Sequence, residues 1–234
     1  MSVLRETVTC VLACAVLACG GDRKGVPGAR DSAGPSTSTP LSPGTSGAVA
    51  AQRTVLFLGT SLTAGLGLEP DSAYPQQVQR RIDAARLPYQ AVNAGVSGET
   101  SAGLLRRLDW VLQDSAAMIV VETGANDGLR GQSVDATKMT IGEILTRIAK
   151  ERPEARVVLV QMEAPTNLGM DYTRAFHAMF PALAREHGVV LMPFLLAGVA
   201  GVTALNQGDG VHPNLAGERM VTETVWRSLG PLLH

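Results

Sequence analysis

Arg53-Thr54-Val55-Leu56-Phe57-Leu58-Gly59 is the stretch that decides the fold. Val55 to Leu58 leave no polar alternate face, and Gly59 closes the run. Such a stretch fits a parallel strand buried on both sides. Working outward, residues 72–86 read as a helix, and further apolar strands fall at 89–93, 117–121, 156–161 and 189–192. Helical stretches lie at 101–113, 134–151, 171–187 and 214–229. Strand alternating with helix at this spacing predicts βαβ units and a parallel sheet with helices on both faces. The expectation is an α/β fold: one three-layer α/β/α domain over 53–234 with a five-stranded parallel sheet. Segment 194–210 is rich in Gly, Ala and Leu, and its pattern predicts a loop with a short helix.

Upstream of Arg53 the composition changes. Residues 20–52 are mostly Gly, Ser, Thr, Pro and Ala with scattered charge, which predicts a disordered tether and no core. Residues 9–20 form an apolar run preceded by Arg5. The run is shorter than the roughly 20 residues a bilayer span needs, and it fits the h-region of a signal peptide. Its end, Val16-Leu17-Ala18-Cys19-Gly20, resembles a bacterial lipobox. That resemblance implies a signal peptide with lipobox over 1–19, cleavage before Cys19 and lipidation of its sulfur. The expected protein is an exported bacterial lipoprotein, facing the periplasm or the outside and touching the membrane only through Cys19. Cys14 follows a similar Val11-Leu12-Ala13 but has almost no apolar run before it, so Cys19 is preferred. The plainer alternatives are secretion without an anchor and a hydrophobic N-terminus on a cytosolic protein.

The 234 residues carry 20 basic and 21 acidic side chains, for a net charge of −1. Residues 1–52 hold four basic and three acidic groups (+1), and 53–234 hold sixteen and eighteen (−2). No basic face is signalled, so nucleic-acid binding has no electrostatic footprint. Cys10, Cys14 and Cys19 are the only cysteines. A disulfide framework, a thiol nucleophile and a Cys-ligated metal are therefore excluded for 53–234.

In an open parallel sheet the active site lies at the carboxyl ends of the strands. Four segments are placed there: Gly59 to Gly65, Asn93 to Thr100, Glu122 to Gly128, and Asp209 to Asn214, which precedes the last helix. Each offers small residues and one or two reactive side chains. The chemistry that fits is acyl transfer through a serine, which needs a nucleophile, a base, a group orienting the base, and oxyanion donors. Ser61 sits at a strand-to-helix junction, although a serine there also reads as a turn or N-cap residue. His177 and His187 fall on a helix and read as surface residues, and His234 is terminal. His212 precedes a helix and follows Asp209 by three residues, so one ring nitrogen can meet a carboxylate while the other faces Ser61. Asp127 is the competing carboxylate, better placed to brace its own loop. Asn126 and Gly98 alone read as turn residues. Beside the Ser61 N–H they make sense as oxyanion donors.

Together these segments resemble the GDSL/SGNH serine hydrolases, in the acyl-CoA thioesterase I/arylesterase/lysophospholipase branch, over essentially all of 53–233. The resemblance maps the block I serine to Ser61, the block II glycine to Gly98, the block III asparagine to Asn126, and the block V pair to Asp209 and His212. It implies a flavodoxin-like SGNH hydrolase fold and a serine esterase or thioesterase. The implied substrates are small-molecule acyl esters: aryl esters, short to medium acyl chains, acyl-CoA or lysophospholipid. Catalysis would run through an acyl-enzyme on Ser61, with no cofactor and no metal, in a monomer. Two positions depart from the family pattern. Thr60 stands where members usually carry aspartate, and it either braces the serine loop through its hydroxyl or leaves it looser. Ala125 stands for the second glycine of Gly-Gly-Asn-Asp. Loop 163–171 is expected to border the acyl pocket. The competing readings are a carbohydrate O-deacetylase on the same fold, a flavin- or phosphate-binding module, and a catalytically inactive surface-tethered binding protein.

Overall fold

A computed structural model describes residues 52–234. The expectations for the signal peptide, for Cys19 and for all but the last residue of the tether lie outside the described residues. The strands are β1 (Arg53–Gly59), β2 (Tyr89–Gly95), β3 (Met118–Val121), β4 (Arg156–Val160) and β5 (Val190–Met192). The helices are α1 (Ser61–Ala64), α2 (Tyr74–Ala84), α3 (Ser101–Val111), α4 (Ala125–Leu129), α5 (Val134–Glu151), α6 (Met170–His187) and α7 (Leu215–Leu229). The sheet is wholly parallel in the order β2-β1-β3-β4-β5. This is the doubly wound order in which strand succession reverses beside β1, with a crevice between β1 and β3.

Burial explains the apolar runs. Val55, Phe57, Leu58, Ile119, Val120, Val121, Val158, Leu159 and Val160 are all fully buried. Successive side chains of a strand point to opposite faces, so both faces of β1, β3 and β4 are covered. Helix α2 packs with α7, while α5 packs with both α3 and α6. The three-layer expectation therefore holds.

Local chemistry sets the helix ends. Thr100 caps α3 by accepting from Gly103 N, Ser133 caps α5 by accepting from Ala136 N, and Asn214 caps α7 by accepting from Ala216 N and Gly217 N. Helix α6 continues through Pro181, which has no N–H to offer the His177 carbonyl. The Gln161 amide donates to that carbonyl at 3.2 Å instead. The segment 194–210 is loop with one short 3₁₀ turn at Thr203–Leu205, as expected. Helices α1 and α4 were not expected. They span four and five residues, too few for a helical period to register.

Candidate active site

The site is built where β1 and β3 run out. After Gly59 the backbone of Thr60 is extended, α1 starts at once with Ser61, and Gly65 closes it in the left-handed region. The chain thus turns sharply and presents Ser61 at the mouth of the crevice. Ser61 Oγ lies 2.8 Å from His212 Nε2. His212 Nδ1 lies 2.7 Å from Asp209 Oδ2. A carboxylate only accepts, so Nδ1 carries the hydrogen and Nε2 is left to accept from the Ser61 hydroxyl. The other Asp209 oxygen accepts from the N–H groups of Val211 (2.9 Å) and His212 (3.0 Å). The bonds from the His212 N–H and ring, then from Val211 N–H, hold the Asp209 carboxyl well below the usual carboxylate range.

The loop that carries His212 is tied to the loop that carries Ser61. The Gln207 N–H donates to the His212 carbonyl at 2.7 Å. Its side-chain amide donates to Leu66 O at 2.7 Å and to Pro213 O at 3.0 Å. Gln207 went unread in the sequence, because its role depends on two loops 141 residues apart meeting.

Gly98 has φ +77, a region that favours glycine. Among the described residues, no backbone carbonyl accepts from the N–H of Ser61 or of Gly98. The Asn126 amide donates to Glu99 O at 3.0 Å, which fixes the side chain and leaves one amide hydrogen free. Ser61, Gly98, Asn126 and His212 all line one cavity of about 890 Å³. Its apolar wall includes Leu62, Leu66, Leu129, Met162, Phe194 and Leu196. Residues 163–167 line it as well, so the first half of the loop expected there does border the pocket.

Asp127 is elsewhere engaged. It is buried and accepts from Ser101 N at 2.9 Å and Ser101 Oγ at 2.6 Å, bracing the start of α3. His177 is exposed and bonds Glu163 at 2.7 Å, and His187 lies at the end of α6. Glu122 carries no role in the sequence-based expectation. It is fully buried, and it accepts from Thr60 N (2.7 Å), from the Thr60 hydroxyl (3.0 Å) and from the Thr63 hydroxyl (2.9 Å). Thr60 therefore does brace the serine loop through its hydroxyl. Burial pushes the Glu122 carboxyl above the usual range, while the donors of Thr60 and Thr63 pull it back. A glutamate closing an all-apolar strand was the available signal, since such a residue is almost never buried without partners.

Residues 57–220 match the GDSL-like Lipase/Acylhydrolase family. The chain belongs to this family. It is 38% identical over 185 residues to the esterase TesA of Pseudomonas aeruginosa, covering 79% of this chain and 91% of that protein. It is 36% identical over 186 residues to the thioesterase 1/protease 1/lysophospholipase L1 of Escherichia coli strain K12, covering 79% and 87%. Among solved structures, it superposes with a TM-score of 0.74 on the psychrotrophic esterase EstA from Pseudoalteromonas sp., crystallised inhibited by monoethylphosphonate. That pair is 31% identical, over 78% of this chain and 99% of that one. The protein is an acyl ester hydrolase, and the family, fold and reaction class expected from its sequence hold.

Proposed function

We propose that this acylhydrolase cleaves aryl and short- to medium-chain acyl esters or thioesters through an acyl-enzyme on Ser61. His212 is the base and Asp209 its orienting group. One observation carries the reading: the unbroken chain Ser61 Oγ, His212 Nε2, His212 Nδ1, Asp209 Oδ2, with contacts of 2.8 and 2.7 Å. Ser61 Oγ attacks the substrate carbonyl carbon while its proton moves to His212 Nε2. The ionised Asp209 favours the imidazolium that results. The carbonyl oxygen, now an oxyanion, takes donors from Ser61 N–H, Gly98 N–H and the free Asn126 amide hydrogen. The bond to the leaving oxygen or sulfur breaks, and that atom receives the proton from His212. Water then repeats the sequence on the acyl-enzyme, releasing the carboxylic acid and restoring Ser61.

The apolar cavity wall supports an acyl or aryl group as the part of the substrate that is buried. The names of the relatives, an esterase and a thioesterase/lysophospholipase, support the choice of leaving groups. We further propose that the enzyme is exported and held at a membrane by lipid on Cys19, with residues 20–52 as tether. The support is the apolar run, the lipobox-like end and the composition that follows. Among the described residues, no helix is long and apolar enough to cross a membrane.

The catalytic assignment is tested by fluorophosphonate labelling and by Ser61→Ala. The wild type should be labelled on Ser61, and the variant should lose about 10⁴-fold or more in kcat on p-nitrophenyl butyrate with an unchanged melting temperature. A folded variant that keeps a tenth of the activity excludes Ser61 as nucleophile.

A further inference from the structure

The Glu122 carboxyl is fully buried at the end of β3, and the proposed reaction does not use it. It has no Lys or Arg partner among the ion pairs of the described residues. A buried carboxyl costs stability unless several donors surround it. Here every donating group comes from one short segment, Thr60 to Thr63, which contains Ser61. The carboxylate takes both the N–H and the hydroxyl of the residue before the serine, and the hydroxyl of the residue two after it. Since the one Thr63 hydroxyl hydrogen goes to Glu122, the Tyr74 hydroxyl, 2.7 Å away, must donate to Thr63. Tyr74 thus backs the grip from α2.

Gly59 belongs to the same construction. A Cβ there would overlap Thr63 Oγ1 and lie 2.7 Å from Glu122 Oε2. Only glycine lets the carboxylate reach across β1. The Glu122 N–H also donates to Leu58 O at 2.8 Å, which fixes the height of β3 against β1. Four residues further along the same strand-to-helix turn stands Asn126. One side chain therefore links the loop that presents the serine to the loop that presents the amide.

We propose that Glu122 is a positioning residue for the reaction: its carboxylate grips the chain on both sides of Ser61 and holds the hydroxyl where His212 accepts its proton. Fixing Thr60 also fixes the peptide that follows it, whose N–H belongs to Ser61 and faces the oxyanion. The inference rests on the reading of Ser61 as nucleophile. It predicts a cost in the chemical step, because displacements of about 1 Å at a reacting group can lower rates by about 100-fold while leaving substrate binding intact. Glu122 does not line the cavity, so its removal should spare KM.

The test compares wild type, Glu122→Gln, Thr63→Val and Thr63→Ser in steady-state kinetics, fluorophosphonate labelling and thermal melting. Thr63 is fully buried and does not line the cavity, so this pair probes the grip without altering a substrate contact. In Glu122→Gln, kcat should fall by about 10- to 100-fold with KM within about twofold, and the labelling rate of Ser61 should fall in the same proportion. Thr63→Val, which keeps the volume and loses the hydroxyl, should fall about 10-fold, and Thr63→Ser, which keeps the hydroxyl, should stay within about threefold of wild type. If Glu122→Gln does not fold, the Thr63 pair decides. Wild-type labelling rates in Glu122→Gln and Thr63→Val overturn the proposal, as does a Thr63→Ser that falls as far as Thr63→Val. A wild type not labelled on Ser61 overturns the nucleophile reading and this one with it. Labelled wild type with undisturbed variants overturns this one alone.

Discussion

The Asn126 amide has one hydrogen engaged and one available. One hydrogen is held by Glu99 O at 3.0 Å, which locks the rotamer. The other is free in the cavity that Ser61 and His212 also line. A donor fixed in advance strengthens as charge develops on the substrate oxygen, so it contributes to the transition state more than to the ground state. Asn126→Ala should lower kcat by about 10²–10³ with little change in KM, measured on a chromogenic ester. A change confined to KM would make Asn126 a substrate-binding residue instead. The residues proposed to carry the reaction could be picked out because each sits in a short loop at a strand end and has a chemistry that suggests a role. Ser61, Gly98, Asn126 and His212 line one cavity, and Asp209 bonds His212. Glu122 and Gln207 were not legible, because a brace is defined by what it touches, 62 and 141 residues away. A glutamate ending an apolar strand signals that Glu122 needs partners, but nothing in the immediate sequence of either residue says which partners those are.

At the scale of elements, long periodic segments read well and single turns did not. Helix α5 was expected at 134–151 and spans Val134–Glu151, because its buried Ile141, Ile144, Leu145 and Ile148 repeat with the helical period. Helices α1 and α4 are too short to carry such a repeat, and they exist because Thr60 and Gly124 turn the chain at the crevice. Helix α7 shows a further feature that periodicity hides: Glu218 faces inward. It is buried, its Oε2 has no hydrogen-bond partner, and burial pushes its pKa up to about 8. Unfolded, the same carboxyl ionises near its ordinary value of 4.5. Between those two values the folded chain holds a proton that the unfolded chain has released, so unfolding loses a proton and stability falls as pH rises. The loss begins above about pH 4.5 and levels off once pH passes about 8. Glu218→Gln removes this one contribution. The variant and the wild type should be similar in stability near pH 5, and the variant should be more stable by about 2–4 kcal/mol at pH 8.5. Urea unfolding at the two pH values measures the difference. A gap that stays constant between them would mean that Glu218 is ionised in the folded protein.

For the whole molecule, the chemistry and the proposed anchor occupy separate stretches of chain. Every residue lining the cavity lies between Thr60 and His212. Arg53 opens β1 at the amino end of the sheet, whereas Ser61 stands past its carboxyl end. The tether would therefore lead into the amino end of β1, and cutting the chain before Arg53 removes none of the residues that line the cavity. The proposal for the first 52 residues rests on composition and on the ending Leu17-Ala18-Cys19, which are sequence features with no fold behind them. Acyl chains contribute membrane affinity at about 0.8 kcal/mol per buried CH₂, and stable attachment takes two signals or chains. Full-length protein expressed in a bacterium should fractionate with membranes and incorporate labelled palmitate. Cys19→Ser should lose the label and leave the membrane fraction, while the chain 53–234 alone should be soluble with the full esterase activity. A label that persists in Cys19→Ser moves the site to Cys14. Absence of label in every form, with the protein recovered outside the cell membrane, replaces the anchored enzyme with a freely secreted one.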